Sequence, residues 1–73
     1  MSRIVVIGES SRVRGFRLAG ATVIEADGPR QIERGWASLP DDTVVLVLTA
    51  PAVAQLAERL AARPRLTWAV MPG

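Results

Sequence analysis

The sequence contains no cysteine and no histidine. Without cysteine there is neither a disulfide staple nor thiolate chemistry. Without histidine there is no imidazole to act as a general base, and metal sites built from Cys and His are excluded as well. Lysine is missing too, so all nine basic residues are arginine, set against seven acids. A hydrolase built on Ser10 or Ser11 would find neither histidine nor lysine as its base. The acids are scattered, and only Asp41 and Asp42 are adjacent. Following Pro40, that pair reads as a polar turn rather than an oxygen-only metal site. No catalytic group, cofactor or metal is expected. A formal charge of +2 is too weak for a dedicated nucleic-acid binder, which carries a strong basic field.

Long apolar runs are missing as well. The most apolar stretch, Thr43 to Ala62, is broken by Pro51, Gln55, Glu58 and Arg59, whereas a spanning helix needs about 20 mostly apolar residues. The opening run Arg3-Ile4-Val5-Val6-Ile7 is too short for the core of a signal peptide. The expectation is a soluble, cytoplasmic chain. At 73 residues it has room for one domain, residues 1–73, since a core needs about 50 residues or more.

What is present is an alternation. Four apolar runs, Ile4–Ile7, Thr22–Glu25, Thr43–Leu48 and Leu66–Met71, are rich in β-branched residues and bounded by Gly, Pro, Asp or Arg, as strands are. Three helical patterns separate them. Ser10 or Ser11 is placed to cap the first by accepting a free backbone N–H; that helix runs through Val13, Phe16 and Leu18 and ends near Gly20. Asp27-Gly28-Pro29 opens the second, with proline in the first turn, where no donor is needed. There Ile32, Trp36 and Leu39 share one face. Thr49 and Pro51 open the third, whose apolar positions Val53, Leu56, Ala57 and Leu60 follow helical spacing, and Pro64 ends it.

The order β-α-β-α-β-α-β implies a parallel sheet covered by helices on both faces. The first and third runs are continuously apolar, as in central strands buried on both sides. Glu25 and Thr67 give the second and fourth runs the character of edges. The predicted fold is therefore a small α/β domain with a four-stranded parallel sheet of order 2-1-3-4, a flavodoxin- or receiver-like half-fold.

Such folds host several chemistries at the ends of their strands, and the residues here suit them poorly. A dinucleotide site needs several glycines in the first turn; Gly8-Glu9-Ser10-Ser11 supplies one. Glu25 stands where a ribose-binding acid would, but a solvated strand end is its ordinary reading. A phosphoacceptor receiver needs an acid cluster after the first strand and an aspartate after the third. This chain has Glu9 alone, and Thr49 in place of the aspartate, so no carboxylate nucleophile is present.

Two features point to partner contacts instead. Arg12, Arg14 and Arg17 cluster on the first helix, either as a solvated face or as a docking edge for an acidic partner. Trp68 lies on the fourth run, where an edge strand with an aromatic is a plausible contact surface. Trp36 fits core packing.

With these residues in place a family resemblance is visible across the chain. Ile4-Val5-Val6-Ile7-Gly8-Glu9 resembles the opening strand and turn of the F subunit of V/A-type rotary ATPases. Gly15-Phe16-Arg17-Leu18-Ala19-Gly20 is similar to that family's helix, and this is the specific part of the match. Val23-Ile24-Glu25-Ala26-Asp27, Val45-Leu46-Val47-Leu48-Thr49 and Val70-Met71-Pro72-Gly73 look like the later strands and the closing proline. Two departures stand out. The family's acidic pair after the third strand is replaced by Thr49-Ala50-Pro51, so no role for those acids carries over. The family's C-terminal helix, which packs along the rotor's D subunit, has no counterpart before Gly73.

The resemblance implies a non-catalytic central-stalk (rotor) component that helps couple ATP turnover to proton or sodium movement. Its partners would be a rotor coiled coil like the D subunit, and other V/A-type ATPase subunits. It would sit peripheral to the membrane through the complex only. The alternative on the same fold is a degenerate receiver-like or nucleotide-binding regulatory domain.

Overall fold

The computed structural model describes residues 3–17 and 20–71. Its elements are β1 (Arg3–Gly8), α1 (Ser10–Arg17), β2 (Thr22–Glu25), α2 (Pro29–Ala37), β3 (Thr43–Leu48), α3 (Ala50–Ala61) and β4 (Thr67–Val70). The strands form one sheet of order β2-β1-β3-β4, and every pairing is parallel. This is the predicted α/β fold. Bounds follow the sequence reading to within two residues: β1 is one residue longer at each end than the predicted run, β4 one residue shorter at each end, and α2 stops short of Leu39. Leu18 and Ala19, within the family-like helix, and Pro72 and Gly73 lie outside the described residues.

Side chains of in-register parallel neighbours share a face, so the two faces can be read from the pairing. On one side Val5, Ile7, Leu46 and Leu48 are fully buried beneath α2 and α3. α3 contributes Ala52, Leu56 and Leu60 to this core, and α2 contributes Ile32. Leu56 and Leu60 are buried as predicted, but the stripe is turned slightly: Ala52 is inside, Val53 is half-buried against the core and Ala57 is exposed. Small Ala52 lets the first turn of α3 come close to the sheet. On α2, Ile32 is buried and Trp36 is half-buried against the core; Leu39, predicted to share their helix face, lies two residues past the end of α2 but packs on the same core. The Arg63 guanidinium lies over the Trp36 ring, 5.5 Å from its centroid.

The other face is covered by α1, whose Val13 is fully buried with Val6 and Met71. Phe16, Val23 and Val47 pack around them. α1 lies over β2 and β1. Among the described residues no helix covers the β3–β4 half of this side. On the same side Ile4, at the start of the central strand β1, is also left 52% exposed. The prediction that the first and third runs are buried on both faces is therefore corrected: their central position holds, but the cover is half-complete. Val44, also exposed, is the extra residue of a bulge where the β1–β3 register shifts after Arg3.

Two glycines are fixed by close packing. A Cβ on Gly8 would overlap the Thr49 Cγ2 and press on Val13 Cγ1. A Cβ on Gly35 would stand 2.9 Å from Ile24 Cγ2, where α2 meets the sheet.

Candidate interaction surface

The first surface to consider is α1. Helical periodicity splits its polar residues around Val13, which points into the core. Arg14 and Arg17 fall on the side towards β2 and reach the same carboxylate there: Arg17 Nη2 donates to Glu25 Oε2 at 3.0 Å, and Arg14 Nε lies 3.9 Å from Glu25 Oε1. Glu25 is thus no bare strand end. It ties the last turn of α1 to the sheet edge. All three side chains remain substantially exposed, so the clamp contributes little to stability, about 1 kcal/mol or less. Arg12 falls on the opposite side of α1. It has no salt bridge among the described residues and lines a cleft of about 250 Å³ with Glu9, Thr49, Pro51, Val70 and Met71.

The start of α1 is held by a residue from another turn. The Ser10 N–H donates to Asp27 Oδ1 at 2.9 Å, and its hydroxyl donates to Asp27 Oδ2 at 2.5 Å. The predicted serine cap is therefore reversed, because the serine donates and the carboxylate following β2 supplies the acceptor. A carboxylate suits this place, since helix N-termini present unpaired N–H groups and a partial positive charge. Asp27 is itself held from α2, where Gln31 Oε1 accepts its backbone N–H at 2.7 Å.

The Ser10 hydroxyl, followed by the Ser10 N–H, lowers the Asp27 pKa below the usual carboxylate value. A folded-state pKa below the unfolded one adds stability above the unfolded value, and that stability is lost as pH falls through the folded one. The unfolding midpoint should thus fall on acidification below about pH 4. Ser10→Ala should make that acid limb shallower. Thermal melts between neutral and acid pH check this, and identical limbs in both proteins would refute it. Gln55, and after it Arg59, lowers the Glu33 pKa in the same direction, which makes Glu33 a second contributor that Ser10→Ala leaves intact.

Between β1 and β3, where the chain leaves the sheet in opposite directions, the strand ends open into a second cleft of about 290 Å³. Its lining includes Glu9, Ala26, Asp27, Thr49, Pro51 and Gln55. This is where open α/β sheets bind ligands. Gln55 Nε2 donates to the Pro29 carbonyl and to Glu33, each at 2.8 Å, and Asp27 is engaged by Ser10. Thr49, 3% exposed, occupies the position where a receiver would carry its aspartate. Its backbone N–H donates to the Ile7 carbonyl at 3.2 Å. No group of three metal-ligating side chains occurs among the described residues.

Trp68 is 41% exposed on β4, the edge strand predicted for it. Its register with Leu46 puts it on the α2/α3 side, away from the α1 arginines. The four candidate contact residues therefore do not form one patch. Arg12 looks across α1 towards β4, Arg14 and Arg17 are drawn to Glu25, and Trp68 faces the other way. Sequence reading missed Asp27 as the α1 cap, because Asp-Gly-Pro is explained by the helix it precedes. It also missed exposed Ile4, because an apolar run gives no sign that its cover is missing.

No described helix is long and apolar enough to cross a membrane. A comparison with curated proteins gives no match. The family model described as "ATP synthase (F/14-kDa) subunit" matches residues 4–70, from β1 through the end of β4, including the α1–Glu25 clamp and every lining residue named for the two clefts except Met71. The chain belongs to the family of the ATP synthase (F/14-kDa) subunit.

Proposed function

We propose that this protein is a non-catalytic central-stalk component of a V/A-type rotary ATPase, working through protein contacts to couple ATP turnover to proton or sodium transport. The observation that carries the reading is the span of the family match, which takes in all seven elements of the fold. The site chemistry is consistent with it. The strand-end clefts present Glu9, Thr49 and a carboxylate already used as a helix cap, a set suited to holding the fold together rather than to turning over a substrate. The partner is a rotor coiled coil like the D subunit, which would hold the chain peripheral to the membrane. Of the four residues that the sequence singles out, Arg12, Arg14, Arg17 and Trp68, the contact is assigned to Arg12, the one arginine of α1 left without an ion pair among the described residues, and not to Trp68, which faces the other side of the sheet.

Co-expression with the rotor coiled coil of the same source tests this. The expected result is a complex that survives size-exclusion chromatography and joins the catalytic head. Failure to associate, together with stable phosphate uptake from acetyl phosphate, would replace the rotor reading with the receiver-like one.

A further inference from the structure

The N-terminus of α3 is left uncapped where it meets the strand ends. Thr49 occupies the N-cap position with an extended backbone, yet its hydroxyl makes no cap hydrogen bond. Its carbonyl accepts the Val53 N–H at 3.0 Å, and Pro51 has no N–H to offer. The Ala50 and Ala52 N–H groups donate to no acceptor among the described residues, although Ala52 is fully buried. A buried N–H without a partner is costly and uncommon in folded proteins. The Thr49 side chain is a second and independent pointer to a ligand. The residue is 3% exposed, and its hydroxyl has no hydrogen-bond partner among the described residues. No described polar side-chain atom is sealed from solvent without a partner. The hydroxyl therefore opens on the two clefts that Thr49 lines.

We propose that this is a noncovalent site for a tetrahedral oxyanion that keeps a proton at neutral pH, namely inorganic phosphate. Helix N-termini hold such anions through their free N–H groups and partial positive charge, and α3 is a 12-residue helix. The donors are the Ala50 and Ala52 N–H groups and the Thr49 hydroxyl. Arg12 lines the same cleft of about 250 Å³, and it has no salt bridge among the described residues. It supplies the full positive charge. Glu9 lines that cleft with the opposite charge, and this decides which anion fits. A carboxylate repels a fully deprotonated oxyanion, but it accepts a hydrogen bond from a P–OH group. Sulfate has no proton to give, so it meets the repulsion without the bond. The site requires no partner and does not rest on the rotor reading.

The test is a titration of the full isotope-labelled chain with sodium phosphate at neutral pH, followed by amide NMR. Sulfate and chloride at matched ionic strength are the controls, and circular dichroism confirms that each variant is folded. Arg12 is also the proposed partner contact, so the chain is titrated alone. Phosphate should give saturable shifts at the Ala50 and Ala52 amides, and sulfate should bind at least about fivefold more weakly. Thr49→Val should weaken phosphate binding about tenfold, whereas Thr49→Ser, which keeps the hydroxyl, should bind within about twofold of the unaltered chain. Arg12→Gln should weaken it by a similar factor of about ten. Glu9→Gln should bring sulfate to within about twofold of phosphate. Phosphate shifts no larger than those of chloride, or centred away from the start of α3, would overturn the site. Thr49→Val binding like the unaltered chain, or sulfate binding the unaltered chain as tightly as phosphate, would overturn it too. The rotor complex is assayed without phosphate, so failure here leaves the rotor reading standing.

Discussion

Gly8→Ala should lower stability by about 3 kcal/mol, the upper part of the range for overfilling a packed site. In a domain of this size that is a drop in the unfolding midpoint on the order of 15 °C. The cause is local. Gly8 ends the central strand β1, and the chain then turns at once into α1. At that point the added methyl would occupy the space of Thr49 Cγ2 and crowd Val13 Cγ1. Neither neighbour can yield easily. Val13 is fully buried, and Thr49, 3% exposed, is fixed by its backbone N–H bond to Ile7 and by its carbonyl, which accepts from Val53. If this overlap is the cause, removing the Thr49 methyl relieves it. Gly8→Ala should therefore cost less than half as much in a Thr49→Ser background, as read from a urea-unfolding double-mutant cycle. Equal costs in the two backgrounds would point to a backbone origin. Glycine is not needed here for its backbone freedom, since the positive φ among described glycines belongs to Gly20.

Leu56→Ala should cost about 2–5 kcal/mol. Leu56 is the middle of the three buried α3 positions and is fully enclosed with Leu46 and Leu48 in the larger core. Small domains have limited stability to lose, with about 5–15 kcal/mol typical for folded proteins, so this variant should show a much earlier urea transition than the unaltered chain. The companion measurement is Ala57→Gln. Ala57 is exposed, so that change should leave stability within about 0.5 kcal/mol. A large loss from Ala57→Gln would restore the apolar stripe expected from spacing alone and refute the helix rotation seen in the structure.

That pair of variants also marks the boundary of what the sequence discloses. Periodicity identified α3 and its ends, because a 12-residue amphipathic segment between Thr49 and Pro64 admits no other regular structure. It could not choose between Ala52 and Ala57, since alanine is equally at home inside and outside, and only the approach to the sheet decides. The strand order was legible because Glu25 and Thr67 mark the edge strands, while continuously apolar runs belong at the centre. The interaction surface was harder to read. Three arginines at positions 12, 14 and 17 look like one cluster in the sequence. In the helix successive residues are turned by about 100°, so that two of the arginines meet Glu25 and one does not. Trp68 and Ala69 look like one apolar edge, yet pleating sends them to opposite faces. The tie between Ser10 and Asp27 joins residues 17 apart, and no local pattern encodes a cap supplied by another turn. The uncovered β3–β4 half of the α1 face is the least legible feature, because it depends on what fails to cover an ordinary apolar run.

The all-parallel connectivity has a consequence for how the chain assembles as it is synthesised. No two strands are joined by a tight turn. Each pairing waits for a complete intervening helix, so none of the sheet can form from neighbouring residues alone. β1, the first strand to emerge, is central and needs partners on both edges. β2 can join it early and draw in α1 through Glu25 and Asp27. The larger core stays open until Leu60 and Leu66 arrive near the end of the sequence. Until β3 is made, the edge of β1 that it will occupy stands unpaired, with the continuous run Ile4 to Ile7 available to any other strand. The nascent chain is therefore most prone to mispairing before its second half is complete, and a chaperone that shelters β1 during that interval would raise the yield of folded protein more than one acting on the finished chain.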